Sequence, residues 1–414
     1  MSFRMKFTTI FTTLISLINC ISSEIQFPTE TPEEISNKEN YLKLITSINN
    51  FAFTLHWYLP ETGNLLISPL SLCTALAMLY YGARRQTEKE MAKVLGYEHL
   101  RMESKDVHRT FQTLLKNTNN NNSKHDLVTA NAVLLQKDFP VLSTYKSDME
   151  EFYNATVQEV DFAREGEIVV KMINAWTAWK TQNKVEELIS EPLSSLTALF
   201  LLNAVYFKGV WKTKFDQRIT TPDTFYNNGH IPKTVPMMRL KTKLLFGIDQ
   251  DLKVSALELP YDGEELAMII LLPFERDGLK DLEGSISASV LSNISSILRK
   301  KAVHVTLPRF KLNNKYELTE QLRKMGIQSL FDPSEADLTG ISKKEGIYAT
   351  TVVHNAVLDV NEQGVEAASV SGIAAGVRIG QPLTNYFTAD HPFLIFIHDS
   401  RTRLIYFMAR VNEL

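Results

Sequence analysis

Side chains that do chemistry come in sets with characteristic spacing, and in this 414-residue chain those sets are missing. There is no HExxH pair for zinc, no GxSxG elbow for a nucleophilic serine, no P-loop or GxGxxG turn for phosphate and no CxxC dithiol. The nine histidines are scattered, none beside a second His or Cys at ligand spacing, so neither a metal nor a cofactor is expected. Ser, His and Asp occur in any large protein and are no triad until geometry joins them. The chain therefore reads as a non-enzyme. Cys73 lies in the apolar run LSLCTALAML and reads as a small buried hydrophobe, not a nucleophile.

The N-terminus carries a different kind of information. Arg4 and Lys6 precede an apolar stretch from Phe7 to Ile18, then small residues at Cys20 and Ser22, the layout of a signal peptide over residues 1–22. The stretch is too short to cross a bilayer, and no later run reaches roughly 18 uninterrupted apolar residues. A secreted, extracellular protein is expected, with Cys73 as its sole cysteine and no disulfide. Export gives meaning to three N-glycosylation sequons, at Asn121, Asn154 and Asn293; Asn121 sits in a polar tract, Asn117 to Asn122, that reads as an exposed loop. A net charge of -3 with signs interspersed offers no general attraction for nucleic acid or membrane. Lys105, His108, Arg109 and Lys116 form a sparse basic set beside Glu103 and Asp106, a weak candidate for binding a glycosaminoglycan.

The elements that would position any site follow from periodicity. Residues 23–40 are polar and acidic and read as a loosely ordered leader. From Tyr41, the residues Leu44, Ile48, Phe51, Leu55 and Tyr58 recur at helical spacing up to Pro60. A second helix runs from Ser71 to Tyr81 and stops near Gly82, and Thr87 with Glu90 reads as a capping box opening a third that contains Met91 and Leu95. Later runs such as LVTANAVLLQ, TALFLLNAVYF, LAMIILLPF, AVHVTLPRF, FLIFIHD and LIYFMARV are strand-like, several of them apolar on both alternating faces, as in sheets covered on both sides. Helices first and strands later, with no βαβ alternation, repeat or Gly/Pro-rich linker, indicate an α+β fold and one large domain over residues 41–414.

Several of these runs carry specific motifs. The segment Asn361-Glu362-Gln363-Gly364-Val365-Glu366-Ala367-Ala368-Ser369, followed about twenty residues later by His391-Pro392-Phe393-Leu394, resembles the reactive-loop hinge and the next strand of the serpins. Asn64 to Ser71 resembles the family's shutter segment, and Asn203 to Trp211 its strand with the breach tryptophan. Leu307 to Phe310, Ala336 to Gly340 and Val353 to Ala356 extend the resemblance, which runs from Tyr41 to Asn412. Ala409 departs from the glycine usual in the closing motif, which implies local crowding. The resemblance implies three β-sheets with about eight or nine helices, and an exposed reactive-centre loop over about residues 362–386. It also implies a monomeric suicide-substrate inhibitor of serine proteases: the cleaved loop enters the largest sheet while the protease is still an acyl-enzyme.

Insertion makes physical demands on the hinge, which comprises Glu362, Gly364, Val365, Glu366, Ala367, Ala368, Ser369 and Ser371. Alternate side chains of an inserted strand pass under the helices that cover the sheet. Val365, Ala367, Ser369 and Ser371 share that parity and are small and uncharged, while Glu366 falls on the outward face with Ala368 and Val370. By resemblance, Arg309, Glu362 and Trp211 belong to the breach at the top of the main sheet, and Ser68, Ser71, Asn203 and His354 to the polar shutter beneath its centre. Counting sixteen positions on from Glu362, as in typical inhibitory members, reaches Arg378, with Ile379 beyond the bond. An arginine there suits the acidic specificity pocket of a trypsin-like serine protease. Arg378-Ile379-Gly380 is also similar to the junction cut when trypsin-like zymogens are activated, which suggests an activating protease of a clotting or immune cascade as target. The competing reading is a non-inhibitory serpin acting as a carrier or chaperone; hinges of such members tend to be charged, bulky or proline-containing.

Overall fold

Thr31, Pro32 and Glu34 start a helix where a leader was expected. In the computed structural model, which describes residues 31–120, 125–362 and 385–414, the Thr31 N–H donates to Glu34 Oε2 at 2.7 Å and the Glu34 N–H to Thr31 Oγ1 at 3.2 Å. This reciprocal cap, with proline in the first turn, opens α1 (Pro32–His56) ahead of Tyr41. Residues 1–30, Asn121, the hinge from Gly364 to Ser371 and the bond Arg378-Ile379 lie outside the described residues. Two compact units divide the chain, Met1–Tyr41 and Leu42–Leu414. The first contributes the opening of α1.

In the second unit the core is built on α2 (Pro69–Gly82), in which every residue but Tyr81 is buried. A helix apolar all round can only be interior. Its start is set by Ser68, whose hydroxyl accepts the Ser71 N–H, and by Pro69, whose missing N–H costs nothing in the first turn. Cys73 is buried within it, and burial pushes its thiol pKa up, consistent with an inert side chain. The expected capping box at Thr87 is not formed, because α3 (Arg85–Val94) begins earlier and Thr87 and Glu90 are engaged elsewhere. Thr87 Oγ1 accepts the Asp337 N–H at 3.0 Å, and Glu90 Oε2 accepts from the Gln328 N–H, the Ser329 N–H and the Ser329 hydroxyl, each at 2.8 Å. Both side chains tie the helix to a distant segment.

The remaining elements follow as α4 (Ser104–Asn120), β2 (Asp126–Gln136), α5 (Ser143–Tyr153), β3 (Thr156–Val160), α6 (Gly166–Lys180) and β4 (Leu199–Lys208), with the short β1 (Leu65–Ile67) preceding α2. Then come β5 (Thr221–Asn227), β6 (Ile231–Asp249), β7 (Val254–Pro260), β8 (Leu266–Pro273), α7 (Leu279–Ser285), α8 (Ala288–Ile297), β9 (Arg299–Pro308), β10 (Phe310–Glu317), α9 (Thr319–Met325), β11 (Ala349–Val360), β12 (Asn385–Thr388), β13 (Phe393–Asp399) and β14 (Ile405–Val411). The nine α-helices among the described residues agree with expectation. The strands form a five-stranded sheet, β10-β11-β4-β2-β3, and a nine-stranded one, β1-β14-β13-β8-β7-β6-β9-β12 with β5 also on β6. Two of the three expected sheets are thus continuous through the long β6, whose first residues pair with β5 and whose last, Leu245 to Asp249, pair with β7. Ala409 keeps regular register with Leu66 and Ile395, so the departure from glycine is absorbed without a bulge.

Just past β4, Gly209 lies against the buried ring of Tyr261, and a Cβ built there would overlap the ring's Cδ1 and Cε1 atoms. Gly209→Ala is therefore expected to lower the urea unfolding free energy by about 1–3 kcal/mol, the usual cost of overpacking a filled core. Unfolding of the two proteins followed by tryptophan fluorescence checks this.

Candidate functional site: a parallel seam and its clasps

The centre of the five-stranded sheet is a parallel pair. β4 and β11 run side by side with Phe200 opposite Thr351 and Lys208 opposite Asp359, and their apolar sequences on both faces reflect cover on both sides. The chain leaves β11 at Val360, is described as far as Glu362 and resumes at Asn385, in β12, which pairs with β9 of the other sheet. A strand folding back from the end of β11 would run opposite to both seam strands. It would replace one parallel junction by two antiparallel ones, the slightly more stable pairing.

Beneath the seam a polar clasp joins the strands. Asn203 on β4 is in register with His354 on β11 and with Asn131 on β2, so all three side chains share a face. The Ser68 N–H donates to His354 Nε2 at 3.1 Å, which leaves the proton on Nδ1 to be donated to Asn203 Oδ1. The Asn203 amide in turn donates to Ser71 Oγ at 2.6 Å and to Asn131 Oδ1. The Ser68 hydroxyl donates to the Tyr406 carbonyl at 2.7 Å. One network thus holds the start of α2 to three neighbouring strands, with a neutral histidine at its centre. Burial lowers the His354 pKa from 6.5 to about 3, since a charged ring here would have no counter-ion in the network. The four residues expected at the shutter are brought together; Asn131 and Tyr406 were not anticipated. Asn131 carried a weak signal as an amide in the middle of the largely apolar run LVTANAVLLQ.

At the upper end of the seam, where the chain departs toward the hinge, the Trp211 indole N–H donates to the Asn361 carbonyl at 2.8 Å. The indole is stacked on Tyr261 with 4.5 Å between centroids and meets Phe215 edge-on. Arg309 Nη1 lies 3.5 Å from Glu362 Oε1; the carboxylate side chain is 2 % exposed and the arginine side chain 50 %. Among the described residues Glu362 Oε1 has no hydrogen-bond partner, and its contact with the half-exposed arginine is a loose one. A buried oxygen without a hydrogen bond is costly to the closed arrangement. The expected breach residues are therefore adjacent, with Asn361 and Tyr261 added to them.

The sequence and the fold both have counterparts. The family model Serpin (serine protease inhibitor) matches residues 46–414. The chain belongs to the serpin family. It is 42% identical over 413 residues to Intracellular coagulation inhibitor 1 of Tachypleus tridentatus, covering 99% of each chain, and 38% identical over 372 residues to Intracellular coagulation inhibitor 2 of the same organism, covering 90% of this chain and 91% of the other. Its structure superposes on the crystal structure of uncleaved ovalbumin with a TM-score of 0.82 at 28% identity, covering 90% of this chain and 100% of that one. The family description and the relatives' names together support the role of a protease inhibitor and not of an enzyme.

These relatives correct the expectation of a secreted, extracellular protein, because both are named intracellular and the first aligns along almost the whole chain, including its N-terminal stretch. Two basic residues, a short apolar run and two small residues meet the composition of an export signal without being specific to it. The expectation of a glycoprotein loses its basis with export, although Asn154 and Asn293 are both exposed. The basic set on α4 also shrinks. His108 is buried, its Nδ1 in a short contact with the Tyr153 hydroxyl and its Nε2 3.2 Å from Ser104 Oγ, and burial holds its pKa down at about 3. Lys105 is paired with Glu103 at 3.0 Å, leaving Arg109 and Lys116 as exposed cations too few to read as a polyanion site.

The neutral clasp has a consequence for pH. Native His354 refuses a proton that the unfolded chain accepts below pH 6.5, so stability is unaffected above that value and falls as pH drops from 6.5 toward 3. The loss approaches about 1.4 kcal/mol per pH unit. Urea titrations of wild type and His354→Gln between pH 7 and 4 are expected to converge as pH falls, the variant lacking this component and retaining that of His108.

Proposed function

We propose that this serpin is an intracellular suicide-substrate inhibitor of Arg-specific, trypsin-like serine proteases, with Arg378-Ile379 as its reactive bond. The observation that carries the proposal is the parallel seam between β4 and β11, closed by side-chain clasps and continued at the end of β11 by a hinge whose inward residues are small and uncharged. A carrier or chaperone would have no use for that parity. The working unit is a single serpin domain from Tyr41 to Leu414, with its reactive-centre loop over residues 362–386.

In the proposed sequence the protease serine attacks the Arg378 carbonyl, the bond to Ile379 breaks, and the proton passes to the new Ile379 amine. The hinge side stays esterified to the protease. Release of the far end of the loop lets residues 363 onward enter the seam, once the bond from Trp211 to Asn361 and the ion pair of Arg309 with Glu362 have given way at its top. The clasp of Ser68, Ser71, Asn203 and His354 then parts beneath its centre. The ester is carried along the sheet before water can cleave it. An arginine at the bond suits bidentate recognition by an aspartate in the protease pocket. The relatives' printed role as coagulation inhibitors is consistent with an activating protease of a clotting or immune cascade as the target.

Mixing the purified protein with trypsin is expected to yield a covalent complex stable to denaturing electrophoresis and a released C-terminal fragment beginning at Ile379. Arg378→Ala is expected to lose inhibition of Arg-specific proteases by more than about a hundredfold while keeping the same melting temperature, the loss reflecting the missing charge-assisted pair. A fragment with another N-terminus, or undiminished inhibition by the variant, refutes the assignment of the bond.

Val365→Arg tests the mechanism separately from the specificity. A guanidinium at the first inward position would be buried without a partner and slow insertion. The variant is expected to be cut by trypsin and released, with little covalent complex. Complex formation at the wild-type ratio would overturn the proposed register.

A further inference from the structure

The turn that joins β5 to β6 carries the only Asn-Gly pair in the sequence, Asn228-Gly229. Asn227 is in register with Ile231, so residues 228–230 form the turn. Both members of the pair are left-handed, with φ of 54° and 82°, which is what a tight connection between antiparallel strands asks of asparagine and glycine. Glycine is obligatory at 229, because a Cβ there would lie 2.6 Å from the Arg276 carbonyl oxygen on a backbone that already disfavours a side chain. Asn228 is exposed to water. With no side chain on the glycine to shield its nitrogen, an Asn-Gly pair is open to attack on itself. The fold thus demands, at this turn, two residues that are chemically labile together.

Hydrogen bonds restrain both reacting groups. The Gly229 N–H, whose nitrogen would be the nucleophile, donates to the Tyr226 carbonyl at 3.0 Å. The Asn228 N–H donates to the Asn412 carbonyl at 2.9 Å, and the Asn412 amide donates in return to Asn228 Oδ1 at 2.5 Å. Beside them the Leu414 N–H donates to Asn227 Oδ1 at 3.0 Å, and His230 Nδ1 donates to the Asn228 carbonyl at 2.7 Å. The tail that makes three of these bonds, Asn412 to Leu414, is itself fixed by Asn64. Its Oδ1 accepts the Asn412 and Glu413 N–H groups at 2.8 and 3.0 Å, and its amide donates to the Glu413 carbonyl at 2.7 Å. A reaction that needs its two groups aligned proceeds only from states in which such bonds are open.

We infer that Asn228 is a site of spontaneous deamidation and that the C-terminal tail, through Asn412, is the guard that sets its rate. The Gly229 nitrogen attacks Asn228 Cγ. The N–Cγ bond forms, the Cγ–Nδ2 bond breaks, and ammonia leaves with the proton from Gly229. Water then opens the cyclic imide at either carbonyl, giving aspartate or isoaspartate, so that the net change is ammonia exchanged for water. The isoaspartyl product has a longer main chain at a turn whose glycine is packed against the backbone of Arg276, with no room for an added atom. It cannot keep its bonds to Asn412 and Leu414, so the modification releases the tail that had delayed it.

The test ages the full-length protein at neutral pH and body temperature and follows the tryptic peptide Ile219–Lys233 by mass spectrometry, with an isoaspartate-specific methyltransferase to identify the product. Ammonia is expected to be lost from Asn228 before any other asparagine of the folded chain. Asn412→Ala leaves the sequence of the turn intact and is expected to speed the loss about fivefold, as removal of one hydrogen bond allows. A chain ending at Val411 should react faster still, and Asn412→Ala carries the test if that chain does not fold. The isoaspartyl form, isolated by ion exchange, should show faster deuterium exchange at the Leu414 amide than unaged protein. Modification first at another asparagine would overturn the site. Equal rates in the wild type and Asn412→Ala would overturn the guard, and unchanged exchange at Leu414 would overturn the release of the tail.

Discussion

The pairing of β4 with β11 is the contact on which the rest of the molecule turns. It is a parallel junction in the middle of a sheet, and parallel ladders are slightly weaker per residue than antiparallel ones. It is held by side chains as much as by its ladder. Below lies the network centred on neutral His354 and Asn203, above lies the apolar cover of α6 and Val185, and at the top the Trp211 indole grips the Asn361 carbonyl. None of these restraints is covalent. Each is worth only about 1 kcal/mol net, so together they can hold a sheet shut without making it the most stable arrangement of the chain.

Signs of an unrelieved closed state are visible on both sides of that contact. Glu362 is buried beside a half-exposed arginine and leaves one oxygen without a hydrogen bond, and the Thr177 hydroxyl on the buried face of α6 likewise has no partner among the described residues. Buried polar atoms of this kind cost more than a made bond returns. Glu362 lies two residues past the end of β11, at the point where the proposed insertion would begin.

The parts of this design that could be read in advance are those carried by local composition. The apolar character of LFLLNAVYFK on both faces announced a strand covered on both sides, and the small alternating residues after Glu362 announced a segment able to lie in such a sheet. The polar clasp was legible through its motifs, except for Asn131, whose role appears only once β2 is known to lie in register with β4. The packing of Val185 against both Tyr206 of β4 and Val357 of β11 was not legible, because a turn after a helix acquires meaning only from the two strands beneath it. Thr87 and Glu90 misled for the opposite reason. Their spacing matches a helix cap, but tertiary partners at Ser329 and Asp337 outbid the local ones. At Thr31 the local rule held, and a polar stretch that looked like a leader became the first turn of α1. The Met1–Ser22 stretch shows the limit of composition: it satisfies the general form of an export signal, while full-length relatives are named for the interior of the cell.

The place of β13 and β14 bears on how the molecule comes to be in its closed form at all. These last strands of the chain are interior to the nine-stranded sheet, between β1 and β8, with Leu65 in register with Arg410. All five strands of the other sheet have been synthesised by Val360. During synthesis the smaller sheet can therefore close while the larger still lacks two central strands, and long-range pairings such as β1 with β14 are slow to form. When the chain's end finally docks, β12 is captured against β9, and the loop is left tethered at both ends between two sheets that are already complete. Order of assembly, and not relative energy, would then decide which fold the newborn chain occupies. A protein unfolded and refolded as a whole chain, with all its strands competing at once, has no such schedule to follow.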